Sequence, residues 1–198
     1  MPPPKTLDTP ALRSQTLRMS YRIARGEQGV LTFEPYKSLL LPLWKFRTVP
    51  IAETSSRELW TAFKHYVAAG DFVGADMARK FIQMGMTRAA RYANHKGGKK
   101  YDYDGKGGRV EKERGKQFEG KEEKRRASEV FKGVWKRCRE DEEYGVLKGE
   151  FQREQKEWDK MVKKGEVKVE GCRAKEVKEE EIEQEVKEED VKEEDDDG

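Results

Sequence analysis

Cysteine is nearly absent from this 198-residue chain, which contains only Cys138 and Cys172. Two cysteines cannot supply a disulfide framework or a cysteine-rich zinc site. Long apolar runs are also missing, which excludes a membrane-spanning helix. The start, Met1-Pro-Pro-Pro-Lys5, lacks the apolar core of a secretory signal peptide. We therefore expect a protein that is not secreted and resides in the cytoplasm, with the nucleus as the alternative.

Histidine is nearly as scarce, with two residues in the whole chain. No HExxH motif, phosphate-binding loop or nucleophile elbow is present. We therefore expect no bound metal and no cofactor, and the sequence identifies no catalytic residue.

Apolar residues make up 34% of the chain and charged residues 41%. The apolar fraction lies below the roughly 45–50% of an average globular protein, so part of the chain is expected not to fold. The net charge of +3 conceals an asymmetry, because residues 174–198 carry a net charge of −10 and the preceding residues carry +13. A basic body with an acidic tail predicts an anionic partner for the body, with the tail as its competitor or solubiliser.

Apolar residues recur at helical spacing in five segments. The sequence Ser55-Ser-Arg-Glu58 fits a capping box, Gly70 suits the residue after a helix end, and Asp71 can cap the helix that follows. Gly85 is expected to kink or end that helix. The predicted helices cover about 35–41, 55–70, 71–94, 127–138 and 144–161.

The N-terminal segments show other patterns. Residues 1–19 are rich in Pro, Thr and Ser and are predicted to be flexible. Tyr21–Ala24 and Val30–Phe33 are predicted to be short extended pieces on either side of a turn at Gly26–Gly29.

These features predict a small, mainly α single domain over residues 20–164. It is expected to contain about five helices and a short extended or hairpin segment near the N-terminus. Glycine and charged residues dominate residues 97–120, which are predicted to be a linker or long loop. Residues 165–198 are predicted to be a disordered acidic tail rich in Lys and Glu.

The most unusual surface is predicted between residues 79 and 100, where seven basic side chains occur without a carboxylate. Arg88, Arg91, Tyr92 and His95 share one helical face. Arg and Lys can bind phosphate, and the Tyr92 ring could stack on a base. The candidate phosphate- or nucleic-acid-binding residues are Arg79, Arg88, Arg91, Tyr92, His95, Lys96, Lys99 and Lys100.

A structural explanation of the same residues stands equally open. Some of the arginines could pair with Glu58, Asp71 or Asp76 in the folded domain. The patch also lies toward a helix C-terminus, where the helix dipole repels phosphate.

Seven segments of the chain form a distinctive series: Arg25–Leu31, Glu34–Ser38, Leu41–Arg47, Gly70–Phe81, Gln83–Gly85, Thr87–Arg88 and Arg91–Tyr101. This series resembles an uncharacterised family called domain of unknown function 4385. The resemblance is close over about residues 20–101 and weaker to about residue 164. It implies a soluble single domain and supplies no known reaction, cofactor or catalytic residue.

Three functions fit the sequence. The first is a non-enzymatic module that binds phosphate, nucleic acid or another polyanion through the basic face. The second is an interaction or scaffold domain whose basic face meets an acidic protein. The third is an enzyme acting on a phosphorylated small molecule, with Arg88 and Arg91 holding the phosphate and His95 or Asp76 exchanging protons. The enzyme requires a pocket that gathers these groups with the 34–37 segment.

Overall fold

The computed structural model describes residues 7–99, 101–103, 108–111 and 118–165, so the predicted tail lies outside the described residues from position 166 onward. The prediction of a mainly α protein is confirmed. The helices are α1 (Pro10–Arg13), α2 (Gln15–Ser20), α3 (Tyr36–Leu40), α4 (Val49–Ala68), α5 (Phe72–Asn94), α6 (Lys121–Glu140) and α7 (Glu142–Lys163). Two 3-10 turns cover Leu41–Leu43 and Lys96–Gly98. Strands β1 (Tyr101–Tyr103) and β2 (Arg109–Glu111) form an antiparallel ribbon.

Helix α4 begins earlier than its sequence predicts. The Thr48 hydroxyl caps it by accepting a hydrogen bond from the backbone N–H of Ile51. The predicted cap, Ser55, is buried within the helix. Its hydroxyl donates to the Leu43 carbonyl at 2.6 Å and accepts from the Lys45 N–H at 3.0 Å. Ser55 therefore ties the segment before α4 to the helix instead of starting it.

The connection from α4 to α5 matches the prediction. Gly70 has a positive φ of 75°, which suits glycine after a helix end. The Asp71 carboxylate caps α5 by accepting from the Gly74 N–H at 3.0 Å. Gly85 neither kinks nor ends α5. A Cβ at this position would lie 2.7 Å from ring atoms of Phe131 on α6, so glycine allows the two helices to approach closely.

Helix α5 is the centre of the domain and packs against both α4 and α6. Helix α7 crosses its first half, where Tyr144 and Phe151 contact Phe72. The Tyr21 ring packs on Phe151 from the other side. Together these aromatic rings close the core at the N-terminal half of α5.

The N-terminal segment is more ordered than predicted. Helix α1 and all of α2 except Ser20 lie within the range expected to be flexible, and Ala11 and Met19 are buried. The Ser14 hydroxyl caps α2 by accepting from the Leu17 N–H. The Ala11 N–H donates to the Tyr36 hydroxyl at 2.9 Å, which attaches α1 to α3. The prediction of flexibility therefore fails for residues 10–19.

No strand forms between residues 21 and 35, so the predicted N-terminal hairpin is absent. Gly26 and Gly29 have positive φ values, and the backbone bonds of this segment close local turns, including Val30 N–H to the Glu27 carbonyl. The ribbon instead lies at β1 and β2, within the segment predicted to be a linker or loop. Residues 100, 104–107 and 112–117 of that segment lie outside the described residues.

Candidate polyanion-binding site

The eight candidate residues do not lie on one surface. Arg79 lies in the middle of α5 and its side chain is 12% exposed. Arg88, Arg91 and Tyr92 are half-buried in the last turns of the same helix. His95 is buried at the helix end. Lys99 is exposed beyond it, only the backbone of Lys96 is described, and Lys100 lies outside the described residues.

Arg79 belongs to a buried polar cluster centred on Asp76. Arg79 donates to the Asp76 carboxylate at 2.8 Å and to the Tyr144 hydroxyl at 3.1 Å. The hydroxyls of Tyr21 and Tyr144 donate to the same carboxylate at 2.5 and 2.6 Å. The ammonium of Lys80 lies 3.8 Å from Asp76 and donates to the Gln28 carbonyl at 3.1 Å. Two of the seven basic residues between positions 79 and 100 are therefore partners of Asp76 in the core. This agrees with the structural explanation, which named Asp76 among the candidate partners.

Electrostatics keeps the Asp76 carboxylate charged in this cluster. Burial raises the pKa of Asp76, but the charges of Arg79 and Lys80 and the hydrogen bonds from Tyr144 and Tyr21 outweigh burial, so its pKa lies below the usual value. Burial lowers the pKa of Lys80 despite the nearby Asp76. Burial and the Asp76 charge raise the pKa of Tyr144, which keeps its hydroxyl protonated as a donor. The cluster is a satisfied structural network, because each charged group has a partner.

The Gly26–Gly29 turn also serves the fold. The Gln28 carbonyl in this turn accepts the hydrogen bond from the Lys80 ammonium, and the Thr87 hydroxyl donates a hydrogen bond to the Glu27 carboxylate at 2.6 Å. The turn therefore docks on α5 beside the Asp76 cluster. The sequence pattern predicted the turn but not the surface against which it packs.

The C-terminal end of α5 is built around the Tyr92 ring. The Phe46 ring lies 5.8 Å from it, centroid to centroid. The Lys124 ammonium of α6 lies 5.5 Å from the Tyr92 centroid and 5.6 Å from the Phe46 centroid. A Cβ on Gly98 would approach the Tyr92 ring to 2.8 Å, so the turn after α5 lies directly on this ring. These contacts give Tyr92 a packing role.

This packing brings together four segments of the chain that carry basic residues. Lys45 and Arg47 are exposed on either side of the buried Phe46, and Lys99 is exposed after the Lys96–Gly98 turn. Arg88 and Arg91 come from α5, while Lys121 and Lys124 come from the first turn of α6. We call these seven residues the basic end. Interactions within the chain also engage Lys45, Arg47, Arg88, Arg91, Lys121 and Lys124. Glu122 on the same turn of α6 pairs with Arg125 and Arg126.

His95 ends α5 and starts the turn that covers Tyr92. Its N–H donates to the Arg91 carbonyl, and its own carbonyl accepts from the Gly98 N–H, both at 2.9 Å. The side chain is buried, and Nδ1 has no hydrogen-bond partner in the described part of the chain. Gly97 and Gly98 adopt positive φ, which allows the chain to reverse at this point.

The groups that an enzyme would need lie apart. Asp76 and His95 are on the same helix, about 28 Å apart at 1.5 Å per residue. Tyr36 donates to Asp71 at 2.5 Å, which places the 34–37 segment at the N-terminal end of α5. An open groove of about 360 Å³ lies beside α7, lined by Arg22, Ile23, Gln152, Gln155, Lys156 and Asp159. None of the predicted residues lines this groove.

Two absences concern the described residues alone. Within the described residues, no group of three His, Cys, Asp or Glu side chains could hold a metal ion. In the same part of the chain, no helix has the length and apolar character needed to cross a membrane.

The family model described as Domain of unknown function (DUF4385) matches residues 4–154. The chain belongs to this family. No curated protein and no solved structure matches it. The DUF4385 region starts well before residue 20, which agrees with the burial of Ala11 and Met19 in the folded domain. It also includes α6 and the first half of α7, so the weaker part of the resemblance belongs to the same family region.

Proposed function

We propose that this DUF4385 protein is a non-enzymatic module that binds the phosphates of nucleic acid or another polyanion through the basic end. The observation that carries the proposal is the packing of Phe46, Tyr92 and Lys124. It brings seven basic residues from four segments to one end of the bundle. Arginine offers paired N–H donors to phosphate, and lysine offers a mobile point charge.

Net charge supports a polyanion over a single small anion. The chain without residues 174–198 carries +13, and the basic end holds seven of its cations. The basic end combines the C-terminus of α5, where the helix dipole opposes an anion, with the first turn of α6, where the dipole favours one. We therefore expect side-chain charge to supply most of the binding, which should be sensitive to salt.

The distribution of exposed apolar residues favours phosphate over an acidic protein. Within the described residues, the large apolar side chains that are exposed are Leu12, Tyr101 and Val146. They lie on α1, β1 and α7, and only Tyr101 is close in sequence to a residue of the basic end, Lys99. A protein-binding surface would be expected to show a contiguous apolar patch beside its charges.

The test is fluorescence anisotropy of the full chain with labelled single-stranded and duplex oligonucleotides at low salt. The double variant Arg88→Gln, Arg91→Gln should weaken binding by tenfold or more. The control is Arg153→Gln, Lys156→Gln, since these exposed residues have the same i, i+3 spacing on α7. The control should bind as the wild type does.

Circular dichroism would establish that both double variants are folded. Absence of binding by the wild type at low salt, or equal losses in the two variants, would overturn the proposal. In either case an acidic protein partner would become the better hypothesis.

A further inference from the structure

The segment that follows the folded domain carries charge opposite to that of the basic end. Residues 174–198 have fourteen carboxylates and four lysines, a net charge of −10, while the rest of the chain carries +13. An ion pair within the rest of the chain cancels one charge of each sign, so the value of +13 already allows for every such pair. An excess of positive charge therefore remains in the domain, and the acidic segment is its complement within the same chain.

Local pairing on other helix faces directs that segment toward the basic end. Basic side chains on the outer faces of α6 and α7 form ion pairs with carboxylates one helical turn away. The pairs are Arg125 and Arg126 with Glu122, Lys132 with Glu129, and Lys160 with Glu157. Residues 79–100, which supply three cations of the basic end, contain no carboxylate. We therefore expect the positive charge of the domain to be concentrated at the basic end.

The acidic segment is long enough to reach the basic end from the end of α7. Tyr144 contacts Asp76, and α7 continues from there to Lys163, about 28 Å at 1.5 Å per residue. Along α5, the distance from Asp76 to Tyr92 is about 24 Å. The end of α7 and the basic end therefore lie at most about 60 Å apart, allowing for the side chains between the helices. Residues 166–198 can span up to about 110 Å when extended.

Attachment to the same chain also makes a weak interaction effective. A segment tethered within reach of its site has an effective concentration on the order of 1 mM. Exposed ionic contacts that would be too weak to join two separate molecules are therefore populated within one chain. A polyanion that binds the basic end must displace the segment, which lowers the apparent affinity of that polyanion.

The boundary of the family region separates the site from the acidic segment. The DUF4385 model covers residues 4–154, which include every residue of the basic end. Residues 174–198 lie beyond the matched region. The basic end thus belongs to the family domain, and the acidic segment is added to that domain in this chain. A segment in this position can regulate the site without contributing to the matched fold.

We propose that residues 174–198 dock on the basic end and compete there with the polyanion. Carboxylates of the segment take the place of phosphates beside the arginine and lysine side chains. The competition rests on the proposed function, because it requires the basic end to bind a polyanion, whereas the docking does not. Salt screens interactions between exposed charges, so both the docking and the competition should weaken as ionic strength rises.

The first measurement detects the docking without any ligand. A nitroxide spin label is attached at position 198 of the full chain in a Cys172→Ser, Gly198→Cys variant, since the remaining Cys138 is buried. The label broadens the NMR signals of backbone amides that lie close to it. The Gly98 and Lys99 signals should be broadened at low salt and should recover at about 1 M salt, where the Debye length is about 3 Å.

The opposite end of the bundle provides the control signals. Gly85 on α5 lies at Phe131 on α6, and Tyr92 lies at Lys124, so the two helices are antiparallel. Glu140, the last residue of α6, is therefore far from the basic end. Its amide signal should stay sharp at every salt concentration.

The second measurement tests the competition by fluorescence anisotropy with labelled oligothymidylate. The tail variant is Asp195→Asn, Asp196→Asn, Asp197→Asn in the full chain. The matched control also removes three negative charges, from exposed residues of α6 and α7 that lie away from the basic end. The control substitutions are Glu140→Gln, Glu142→Gln and Glu150→Gln.

The two variants should differ although their net charges are equal. The tail variant should bind oligothymidylate about threefold or more tightly than the wild type at low salt, as expected from the loss of three weak exposed ion pairs. The control should bind close to the wild-type affinity. At about 1 M salt the two variants and the wild type should no longer differ.

Failures of the two proposals can be separated. Sharp Gly98 and Lys99 signals at low salt, or equal tightening in the tail variant and the control, would overturn this proposal, and oligothymidylate binding by the wild type would leave the proposed function standing. Broadened Gly98 and Lys99 signals in a protein that binds no oligonucleotide, as wild type or as either variant, would overturn the proposed function and the competition. The docking would stand in that case.

Discussion

The hydroxyl of Tyr144 donates a 2.6 Å hydrogen bond to the Asp76 carboxylate, joining α7 to the N-terminal half of α5 across 68 residues of sequence. Both side chains are buried. Since Asp76 also balances Arg79 and Lys80, this bond connects the outer helix to the charged cluster of the core.

Replacing Tyr144 with Phe should destabilise the domain by about 1.5–3 kcal/mol, the usual contribution of a hydrogen bond to a charged group. Tyr66→Phe is the control, because the Tyr66 hydroxyl is buried and has no hydrogen-bond partner in the described part of the chain. Loss of the Tyr66 hydroxyl should leave the stability of the domain unchanged or raise it. Urea denaturation of both variants measures the difference, and equal losses of stability would contradict the assigned role of Tyr144.

Because Asp76 is charged, its contribution to the stability of the domain should depend on pH. Asp76→Asn leaves Arg79 and Lys80 buried without their carboxylate, which should cost about 3–5 kcal/mol at neutral pH. The pKa of Asp76 in the folded domain lies below the usual value of 3.8. Its stabilising contribution is therefore present above that pH and is lost as the pH falls through the folded pKa.

This pH dependence can be tested by measuring the free energy of unfolding of the wild type and of Asp76→Asn from pH 7 into the acid range. The difference between the two proteins should shrink below pH 3.8. A difference that stayed constant into strong acid would mean that folding does not lower the pKa of Asp76, and would contradict its pairing with Arg79 and Lys80.

Local sequence signals correctly predicted the connection between helices α4 and α5. Gly70 and Asp71 mark their positions through backbone conformation and side-chain capping, which depend on near neighbours. The basic residues between positions 79 and 100 were harder to interpret, because that segment contains no carboxylate. The carboxylate that pairs with Arg79 belongs to Asp76, just before the segment begins. One helical turn brings the two together. Burial of that turn, which decides the role of Arg79, comes from α7 and the Tyr21 segment.

The basic end depends on contacts between distant parts of the chain. Phe46 and Lys124 reach Tyr92 from segments 46 residues earlier and 32 residues later. No local pattern links these positions, so the sequence could identify Arg88 and Arg91 but not Lys45, Arg47, Lys121 or Lys124. The same holds for Tyr92, whose packing role is visible only once α6 is in place.

Glycine at position 85 should be required for the packing of α5 on α6. Gly85→Ala places a Cβ 2.7 Å from the Phe131 ring, and overpacking of this kind costs about 1–3 kcal/mol. Gly133→Ala is the control, because a Cβ there meets nothing within 4 Å. The control should gain up to about 1 kcal/mol from helix propensity. Thermal unfolding of the two variants should therefore shift in opposite directions, and a stabilised Gly85→Ala would contradict the close approach.

The thiol of Cys138 should be unreactive in the folded protein. The side chain is fully buried, and burial raises the pKa of the Cys138 thiol to about 12. In a Cys172→Ser variant, a thiol reagent at neutral pH should label no cysteine until denaturant is added. Rapid labelling of the native variant would show that the face of α6 that carries Cys138 is not buried against the core.

The salt dependence of oligonucleotide binding tests the central claim most directly. For a single strand, the slope of log affinity against log salt should fall by about 1.4 in the Arg88→Gln, Arg91→Gln variant, about 0.7 for each phosphate contact removed. The Arg153→Gln, Lys156→Gln control should keep the wild-type slope. A wild type whose affinity does not depend on salt, or a slope unchanged by the Arg88 and Arg91 substitutions, would contradict phosphate binding at the basic end.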